Sequence, residues 1–384
     1  MKNRSHSTLV SLGAVIALTP IGAVAQVPAV TYWGTMFAAP AHTTQKSPKS
    51  IDLPGPIAQV GTSNSTEYAL LTNGQVWAWG LGGAGQLGDG GTANSVNVPV
   101  QVQFPTGVTI AALATDAMPY NAALAIDTSG NAWGWGNDLT GALCLGTGVS
   151  QYLTPVELPL ADVTLVAGAS AHSLFDSDGS LYACGSNPFG QLGTGNSGRA
   201  NTPVAVVGMQ NQDITAVVAS SVNSGVLLAN GDYYDWGYDA QGQLGDGITG
   251  VSVNAPVEVS LPLPVTQVVA GGDNLGNAST LVELSDGSYR SWGDDKYGQL
   301  GDGKTTNEPS PIEFFPPTGV TYQLLACGGA TSYGVTAAGA VYSWGEGNRG
   351  QIGNGATKNE LEPVLVVSGG VTMISSTAED VATV

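Results

Sequence analysis

Hydrophobic and polar residues alternate over short stretches along the chain, and the same order of stretches returns every 49 to 56 residues. Alternation with a period of two predicts strands that bury one face. Each unit contains four such stretches, which we name strands A to D in chain order. A repeat of about 50 residues made of short strands is typical of a closed array, because no single unit buries its apolar face alone.

The four stretches of a unit differ in character. Strand A is an apolar run such as Val268-Val269-Ala270, and strand B follows a polar loop. A pair with glycine second, such as Asn73-Gly74, then leads into strand C. Such pairs between extended segments predict two-residue type I′ hairpins, in which both central residues have positive φ. Strand D is marked by proline, as in Thr202-Pro203-Val204, which suits an outer edge.

The segment that ends strand C is the most strongly repeated. Its clearest copy, residues 292–303, reads Trp-Gly, four variable residues, then Gly-Gln-Leu-Gly-Asp-Gly. The other copies begin at Trp79, Trp135, Cys184, Trp236 and Trp344. All eight tryptophans fall on predicted C strands. A large flat side chain at one place in each unit suits the packing of one twisted sheet on the next.

The two ends of the chain each carry half a unit. Val30 to Gly34 has the form of strand C and Pro48 to Pro54 that of strand D, whereas residues 371–384 supply only strands A and B. We therefore predict an all-β, seven-bladed β-propeller of four-stranded antiparallel blades. Its ring is closed by N-terminal strands C and D pairing with C-terminal strands A and B, which removes free sheet edges. An open solenoid is the alternative, and the matching half-units argue against it.

These motifs resemble a known family. Trp-Gly-x4-Gly-Gln-Leu-Gly-x-Gly, joined to the preceding strands A and B, is similar to the regulator of chromosome condensation repeat over about residues 29 to 384. The resemblance implies a seven-bladed propeller and leaves the function open. The family includes guanine-nucleotide exchange factors, ubiquitin-ligase and signalling modules, and secreted bacterial proteins, one branch of which inhibits β-lactamases. This chain departs from that branch by carrying Gly-Gln-Leu-Gly-x-Gly in most blades, and its copy at 141–148 is longer.

The first 25 residues are typical of a secretory signal. Lys2 and Arg4 precede an apolar stretch, and Ala23-Val24-Ala25 is a typical cleavage site. We expect a signal peptide over 1–25 and one propeller domain over 26–384, secreted or periplasmic and without membrane insertion of the mature chain. A retained membrane anchor is the alternative.

The net charge limits the classes of possible partner, and the cysteine count limits the possible disulfide bonds. The net charge of −19 argues against nucleic acid, because binding to phosphates needs a basic surface. A cationic partner surface is compatible with this charge. Three cysteines do not form a disulfide scaffold. Cys184 and Cys327 fit as small buried hydrophobes, and a Cys144–Cys184 bridge between neighbouring units is the alternative.

We assign no catalytic residue, no cofactor-binding residue and no metal ligand, so we expect the chain not to be an enzyme. A calcium site needs about six to eight converging oxygens, whereas Asp89, Asp246 and Asp302 lie in different blades. We expect these acids, and the glutamines of the repeated motif, to bond loop backbone. A Ser/His/acid site needs a base beside a nucleophile and a third group that orients the base. The resemblance implies that the pair His172-Ser173 is repeated structure of the family, so we interpret His172 as a packing and loop-bonding residue, with catalysis as the alternative.

Surface recognition is the class of function that remains after these sites are excluded. In an up-and-down blade the A–B and C–D loops lie on one face, which we name the upper face, and the uniform B–C turns lie on the other. We expect a monomeric, secreted, non-enzymatic scaffold that binds an unidentified protein or cell surface. The alternatives are an inhibitor of a secreted enzyme, an exchange-factor-like regulator, and a propeller hydrolase or lyase. Ordinary variable loops are the competing interpretation of the candidate partner-binding residues, which are Met118, Tyr120, Phe189, Tyr238, Asp273, Asn274, Tyr297, Arg349 and Glu379.

Overall fold

The computed structural model describes residues 29–36, 43–63, 66–116, 118–272, 276–376 and 380–384. The predicted signal peptide lies outside these residues, as do Asp273, Asn274 and Glu379. Every regular element in the described ranges is a β-strand, and these ranges hold no helix that is long and apolar enough to cross a membrane.

The strands form seven sheets, which we number as blades along the chain. Blade 1 contains β3 (Ile57–Ser63), β4 (Thr66–Leu71), β5 (Val76–Gly80) and β6 (Ser95–Gln101). Blade 2 contains β7 (Ile110–Leu113), β9 (Ala122–Asp127), β10 (Ala132–Asn137) and β11 (Gln151–Glu157). Blade 3 contains β12 (Val163–Gly168), β13 (His172–Ser177), β14 (Ser180–Gly185), β15 (Ala200–Ala205) and the short β8 (Thr115–Asp116).

The remaining sheets repeat the same order. Blade 4 contains β16 (Ile214–Ala219), β17 (Asn223–Leu228), β18 (Tyr233–Gly237) and β19 (Val253–Glu258). Blade 5 contains β20 (Val265–Gly272), β21 (Ala278–Leu284), β22 (Tyr289–Gly293) and β23 (Glu308–Phe314). Blade 6 contains β24 (Leu324–Cys327), β25 (Thr331–Val335), β26 (Val341–Gly345) and β27 (Glu360–Val367). Blade 7 contains β28 (Ile374–Ser376), β29 (Asp380–Thr383), β1 (Ala29–Met36) and β2 (Thr43–Asp52).

The predicted set of seven four-stranded antiparallel blades needs a correction. Only six sheets have four strands, and the sheet of blade 3 has five. Its extra strand, β8, comes from the chain between blade 2 strands and pairs in parallel with β12, Ala167 opposite Thr115. The sequence shows no sign of this strand, because two residues are too few for an alternating pattern.

Blade 7 joins the two ends of the described chain. Strand β1 pairs in antiparallel fashion with β29, Tyr32 opposite Ala382 and Thr31 opposite Thr383. The inner strands β28, β3, β7, β12, β16, β20 and β24 follow one another around the axis, and β28 contacts both β24 and β3. Two glutamines connect neighbouring inner strands: the main-chain N–H of Leu113 donates to Gln59 Oε1 (2.8 Å), and that of Leu325 donates to Gln267 Oε1 (3.0 Å).

The apolar core lies between blades rather than within one. Buried clusters combine residues of adjacent sheets, as where Tyr233 and Val218 of blade 4 pack with Trp292 of blade 5. All eight tryptophans lie on strand C of their blades, as predicted. Six of them, one per blade except in blade 3, are fully buried.

The predicted type I′ hairpins are wrong in five of the six turns between strands B and C. Only Asp178-Gly179 has positive φ at both central residues (49° and 70°). Elsewhere the glycine N–H closes a turn on the residue three positions earlier, as Gly74 does with the Leu71 carbonyl (2.9 Å), and only the glycine has positive φ. This is a type I turn followed by a glycine bulge, a three-residue connection that also matches strand twist.

Candidate functional site

Five junctions between blades share one hydrogen bond. The tryptophan that ends strand C donates its indole N–H to the main-chain carbonyl of the motif glutamine in the preceding blade. The distances are 2.9 to 3.1 Å, and the pairs are Trp135–Gln86, Trp236–Gln191, Trp292–Gln243, Trp344–Gln299 and Trp33–Gln351. The repeated segment therefore connects each of these blades to the next.

The glycine two residues after each glutamine is required by the same contact. At Gly245, φ is +66°, and a Cβ added there would lie 2.8 Å from Nε1 of Trp292. A side chain at this position would overlap the indole of the next blade, and the left-handed backbone favours glycine as well. The motif glycine and the tryptophan of the following blade thus form one packing unit.

The junction of blades 2 and 3 replaces both members of this unit by cysteine. Cys144 occupies the glycine position with φ 58°, and Cys184 occupies the tryptophan position. The two form a disulfide with a Cα–Cα distance of 5.4 Å. The main-chain carbonyl of Ala142 still accepts a hydrogen bond from blade 3, from Ser173 Oγ at 2.8 Å. The bridge left open by the sequence is therefore present, and Cys327 is a free, buried thiol.

The junction of blades 7 and 1 is different again. Trp79 is fully buried, but its Nε1 has no hydrogen-bond partner among the described residues. Glu67 lies opposite Trp79 in the β4–β5 register, and its Oε2 has no such partner either. Burial raises the pKa of Glu67 to about 8, because a charged carboxylate is poorly solvated there.

His172 does not form a catalytic pair. Its Nε2 lies 2.8 Å from Ser224 Oγ, and Ser224 Oγ donates its only proton to the Gln191 carbonyl at 2.7 Å. The serine must therefore accept from the Nε2–H of the imidazole, so His172 Nε2 does not act as a base toward Ser224. Both side chains are buried, and burial lowers the pKa of His172 to about 4. The pair supports the contact between blades 3 and 4.

The repeated amides and acids bond loop backbone, as predicted. The Gln299 side chain accepts from the main-chain N–H of Tyr297 (3.0 Å), and Gln351 accepts from Arg349 in the same way (2.8 Å). Asp246 Oδ1 accepts from the N–H of Ile248 two residues later (3.0 Å). Within the described ranges, no group of three or more His, Cys, Asp and Glu side chains could hold a metal ion.

Sequence reasoning missed a second set of loop acids, two residues after the motif glycine of strand C. Asp138, Asp239 and Asp295 are buried, and each accepts from the N–H of the leucine five residues later. Burial raises the pKa of Asp239 to about 6 and that of Asp295 to about 7. The recurrence of Asp or Asn at this place in four blades was the signal that could have revealed them.

The candidate partner-binding residues divide by exposure. Tyr120 and Arg349 are exposed. Phe189, Tyr238 and Tyr297 are half-buried, and the rings of Phe189 and Tyr238 lie 4.7 Å apart across the junction of blades 3 and 4.

Met118 is placed differently from the expectation, because it is buried with 4% exposure. Its N–H donates to the Thr62 carbonyl of blade 1 (3.1 Å), and the neighbouring Pro119 carbonyl accepts from Ser63 Oγ (2.8 Å). Strand β8 just before it pairs with blade 3 and contacts blades 1, 4 and 5. This segment therefore lies across the upper end of the central channel, and Met118 packs within the ring.

Below that segment, the inner strands enclose a cavity of about 390 Å³. Strands of six blades and Ala114, which follows β7 of blade 2, contribute to its wall. The wall is mainly aliphatic and includes Val60, Leu165, Val268 and the thiol-bearing Cys327. The glutamines at its rim, Gln59 and Gln267, are occupied by their bonds to neighbouring strands.

Among the described residues of the upper face, large apolar side chains are exposed in only some of the blades. Half of the exposed large hydrophobic residues in the described ranges lie in A–B or C–D loops, all of them in blades 2 and 4. Together with the half-buried Phe189–Tyr238 pair they form what we name the apolar sector, which comprises Tyr120, Leu139, Val149, Phe189, Tyr238, Ile248 and Val251. The sequence prediction included only Tyr120, Phe189 and Tyr238, because isolated aliphatic residues in glycine-rich loops carry no periodic signal.

Similarity to known proteins agrees with this architecture. The chain is 27% identical over 298 residues to the human E3 ubiquitin-protein ligase HERC2, covering 76% of this chain and 6% of the ligase. It is 26% identical over 297 residues to the Arabidopsis thaliana ultraviolet-B receptor UVR8, covering 76% of this chain and 65% of the receptor. The chain thus spans a small part of the first relative and about two thirds of the second.

Solved structures share the fold. Human WBSCR16 superposes with a TM-score of 0.80 at 21% identity, covering 93% of this chain and 98% of WBSCR16. Prp20p of Saccharomyces cerevisiae, described with its binding properties to Gsp1p and histones, superposes with a TM-score of 0.79 at 20% identity, covering 94% and 92%.

The family model for the regulator of chromosome condensation (RCC1) repeat matches residues 73–115, 178–227, 230–275, 286–335 and 338–379. These segments make up more than half of the chain and contain the glutamine–tryptophan junctions of blades 3 to 6. The chain belongs to the regulator of chromosome condensation (RCC1) repeat family.

Proposed function

We propose that this chain is an exported, non-enzymatic scaffold that binds a protein partner through the upper face of its propeller. The observation that carries the proposal is the apolar sector. Leu139 and Val251, in C–D loops of blades 2 and 4, are 65% and 58% exposed. Exposed apolar side chains on the loops of neighbouring blades, together with an aromatic pair, are typical of a protein interface.

The loops that carry the apolar sector are ordered, which also supports binding. The loops that carry it are held from below, since Gln191 accepts from the main-chain N–H of Phe189 (3.0 Å) and Asp239 accepts from that of Leu244 (3.2 Å). A loop that is already ordered loses little conformational entropy when a partner binds. Prp20p, which shares this fold, is itself described as binding the proteins Gsp1p and histones.

A non-enzymatic role is supported by the chemistry of the buried polar groups. His172 is enclosed between blades 3 and 4, where its Nε2 proton is donated to Ser224. The buried acids Asp239 and Asp295 accept main-chain N–H groups of their own loops. These groups are engaged in loop and blade contacts. The predicted export signal at 1–25 adds the expectation that the partner is met outside the cytoplasm.

The test is affinity capture with the full mature chain, comparing two variants of matched chemistry. Leu139→Asp/Val251→Asp places charges in the apolar sector. Val207→Asp/Leu263→Asp places the same charges on exposed residues between strands D and A, on the opposite face. We expect the first variant to lose partner recovery at least tenfold and the second to retain it. Equal recovery by both variants, with unchanged thermal unfolding, would overturn the proposal.

A further inference from the structure

Positive charge is distributed very unevenly along this acidic chain. Between Lys49 and Arg290 the only Lys or Arg is Arg199, although the chain carries ten such residues. Blades 1 to 4 therefore contain one cation, while blades 5 to 7 contain all the others outside the first 28 residues. This asymmetry is not expected from the net charge of −19.

Ring closure brings these cations together. Strand β2 from the N-terminal part joins blade 7, where the carbonyl of Lys46 accepts from the N–H of Gly355 in the blade 6 loop (3.0 Å). Lys46 thereby lies beside the loop that carries Arg349 and Lys358, some 300 residues distant in the chain. We name the exposed set in blades 5 to 7 the cationic sector, which comprises Lys46, Lys49, Lys296, Lys304, Arg349 and Lys358.

The acids of the blade 5 loop are turned away from solvent. Asp294 and Asp295 are 2% and 0% exposed, and they bind the Gln299 side chain and the Leu300 N–H. The Asp302 side chain is 7% exposed and accepts from Lys304, whose own side chain is 62% exposed. This loop therefore presents mainly positive charge to solvent, although its sequence contains more acids than bases.

The sector also offers an ordered aromatic side chain. Tyr297 lies between Lys296, whose Nζ is 5.0 Å from the ring centroid, and the loop backbone held by Gln299. Arg349 occupies the equivalent place in blade 6, and its N–H is held by Gln351. Tyrosine and arginine on ordered backbone are frequent anchors of protein interfaces.

We propose that the loop residues of the cationic sector, Lys296, Lys304, Arg349 and Lys358, bind an acidic segment of the partner protein on the upper face that also carries the apolar sector. The proposal rests on the proposed function and specifies the partner's chemistry. Complementary charge would accelerate association and select the orientation of the partner. A protein is favoured over a nucleic acid because the apolar sector adjoins the cations, and because the remaining surface is acidic and repels an extended polyanion.

The experiment measures binding of a labelled Glu- and Asp-rich peptide of about twelve residues to the full mature chain by fluorescence anisotropy. We expect saturable binding that weakens as ionic strength rises, because exposed charges are screened over about 10 Å at 0.1 M salt. Lys296→Ala/Arg349→Ala/Lys358→Ala should weaken it by about tenfold, from three surface ion pairs of a few tenths to one kcal/mol each. Arg199→Ala, an exposed arginine of blade 3, is the matched control and should bind as the parent does.

Other outcomes would contradict the inference. Absence of peptide binding, equal binding by the triple variant, or tighter binding of a single-stranded DNA of equal length would each overturn it. Lys358→Glu alone serves if the triple variant is unstable, since it reverses one exposed charge. The two proposals fail separately: partner capture that depends on Leu139 and Val251 but not on Lys296, Arg349 and Lys358 would retain the scaffold and reject the acidic partner.

Discussion

The junction of blades 2 and 3 and that of blades 4 and 5 occupy equivalent places in the ring but use different chemistry. In the second, the indole of Trp292 fills the space beside Gly245 and donates to Gln243. In the first, the glycine and the tryptophan are replaced by Cys144 and Cys184, which are joined covalently. The large indole ring needs a glycine beside it, because a side chain there would overlap the ring. The two smaller cysteine side chains are joined by a disulfide bond instead.

The comparison shows that the repeated motif is a two-blade unit. Its repeated residues do not act within their own blade alone, because the glycine of one blade accommodates the tryptophan of the next. Replacing only one member would leave either a cavity or an overlap, and both are costly in a close-packed interior. The paired change at blades 2 and 3 avoids both.

The largest effect is expected at a tryptophan junction. Trp292→Ala removes a fully buried indole and its hydrogen bond to Gln243. We expect a loss of about 3–5 kcal/mol in the free energy of unfolding, measured by urea titration. Trp77→Ala is the control, because Trp77 is only half-buried and donates to no motif glutamine. If Trp292→Ala and Trp77→Ala lowered the free energy of unfolding equally, the tryptophan junction would contribute no more to stability than a half-buried tryptophan outside it.

The next largest effect is expected at the disulfide-linked junction of blades 2 and 3. Cys144→Ala/Cys184→Ala opens a loop with a sequence separation of 40 residues. Chain-entropy arguments give a loss of about 2–4 kcal/mol, which urea unfolding under oxidising conditions would measure. The parent in the presence of a thiol reductant should approach the stability of the double variant.

A variant that rebuilds the glycine–tryptophan pair at the junction of blades 2 and 3 tests the two kinds of junction against each other. Cys144→Gly/Cys184→Trp restores the glycine and the tryptophan of the other junctions. We expect it to unfold at a higher urea concentration than Cys144→Ala/Cys184→Ala. If it were the less stable of the two, then blade 2, whose loop is longer, would not accept a tryptophan from blade 3.

The smallest effect concerns the junction of blades 7 and 1. Because the folded pKa of Glu67 is raised to about 8, the folded chain retains a proton that the unfolded chain has released above about pH 4.5. Stability should therefore be complete below that pH and fall as the pH rises toward 8. We expect Glu67→Gln to match the parent in free energy of unfolding near pH 4 and to exceed it at pH 8.

The measurement is the unfolding midpoint of parent and variant across this pH range. Glu157→Gln, an exposed residue of β11, is the control and should track the parent at every pH. Identical pH profiles for Glu67→Gln and the parent would show that Glu67 titrates normally in the folded chain.

Much of the fold could be read from the sequence, because strand periodicity, turn glycines and tryptophan spacing are local. The half-units at the two ends were recognisable for the same reason, and the glutamine and aspartate side chains bond loop backbone as their repetition indicated. The hairpin type was misjudged at Asn73-Gly74, since a glycine in second place fits a type I′ turn and a glycine bulge equally well. Strand β8 was missed because its pairing with β12 depends on a neighbouring blade.

The candidate site was less predictable. Tyr120 and Arg349 are exposed as expected, but Met118 is buried across the channel, where contacts with Thr62 and blade 3 hold it. Nothing in the local sequence distinguishes a loop that projects outward from one that folds over the axis. Exposure of Leu139 and Val251 likewise depends on how the C–D loops insert between blades.

By itself, the sequence determined the β-strand units, their order and the tryptophan-bearing strand of each, because these follow from local alternation and turn chemistry. The tertiary structure decided which residues meet. It joined Cys144 to Cys184, placed Met118 inside the ring, and brought Lys46 beside the blade 6 loop that carries Arg349 and Lys358. Such contacts link residues of different blades, and their proximity exists only once the ring has closed.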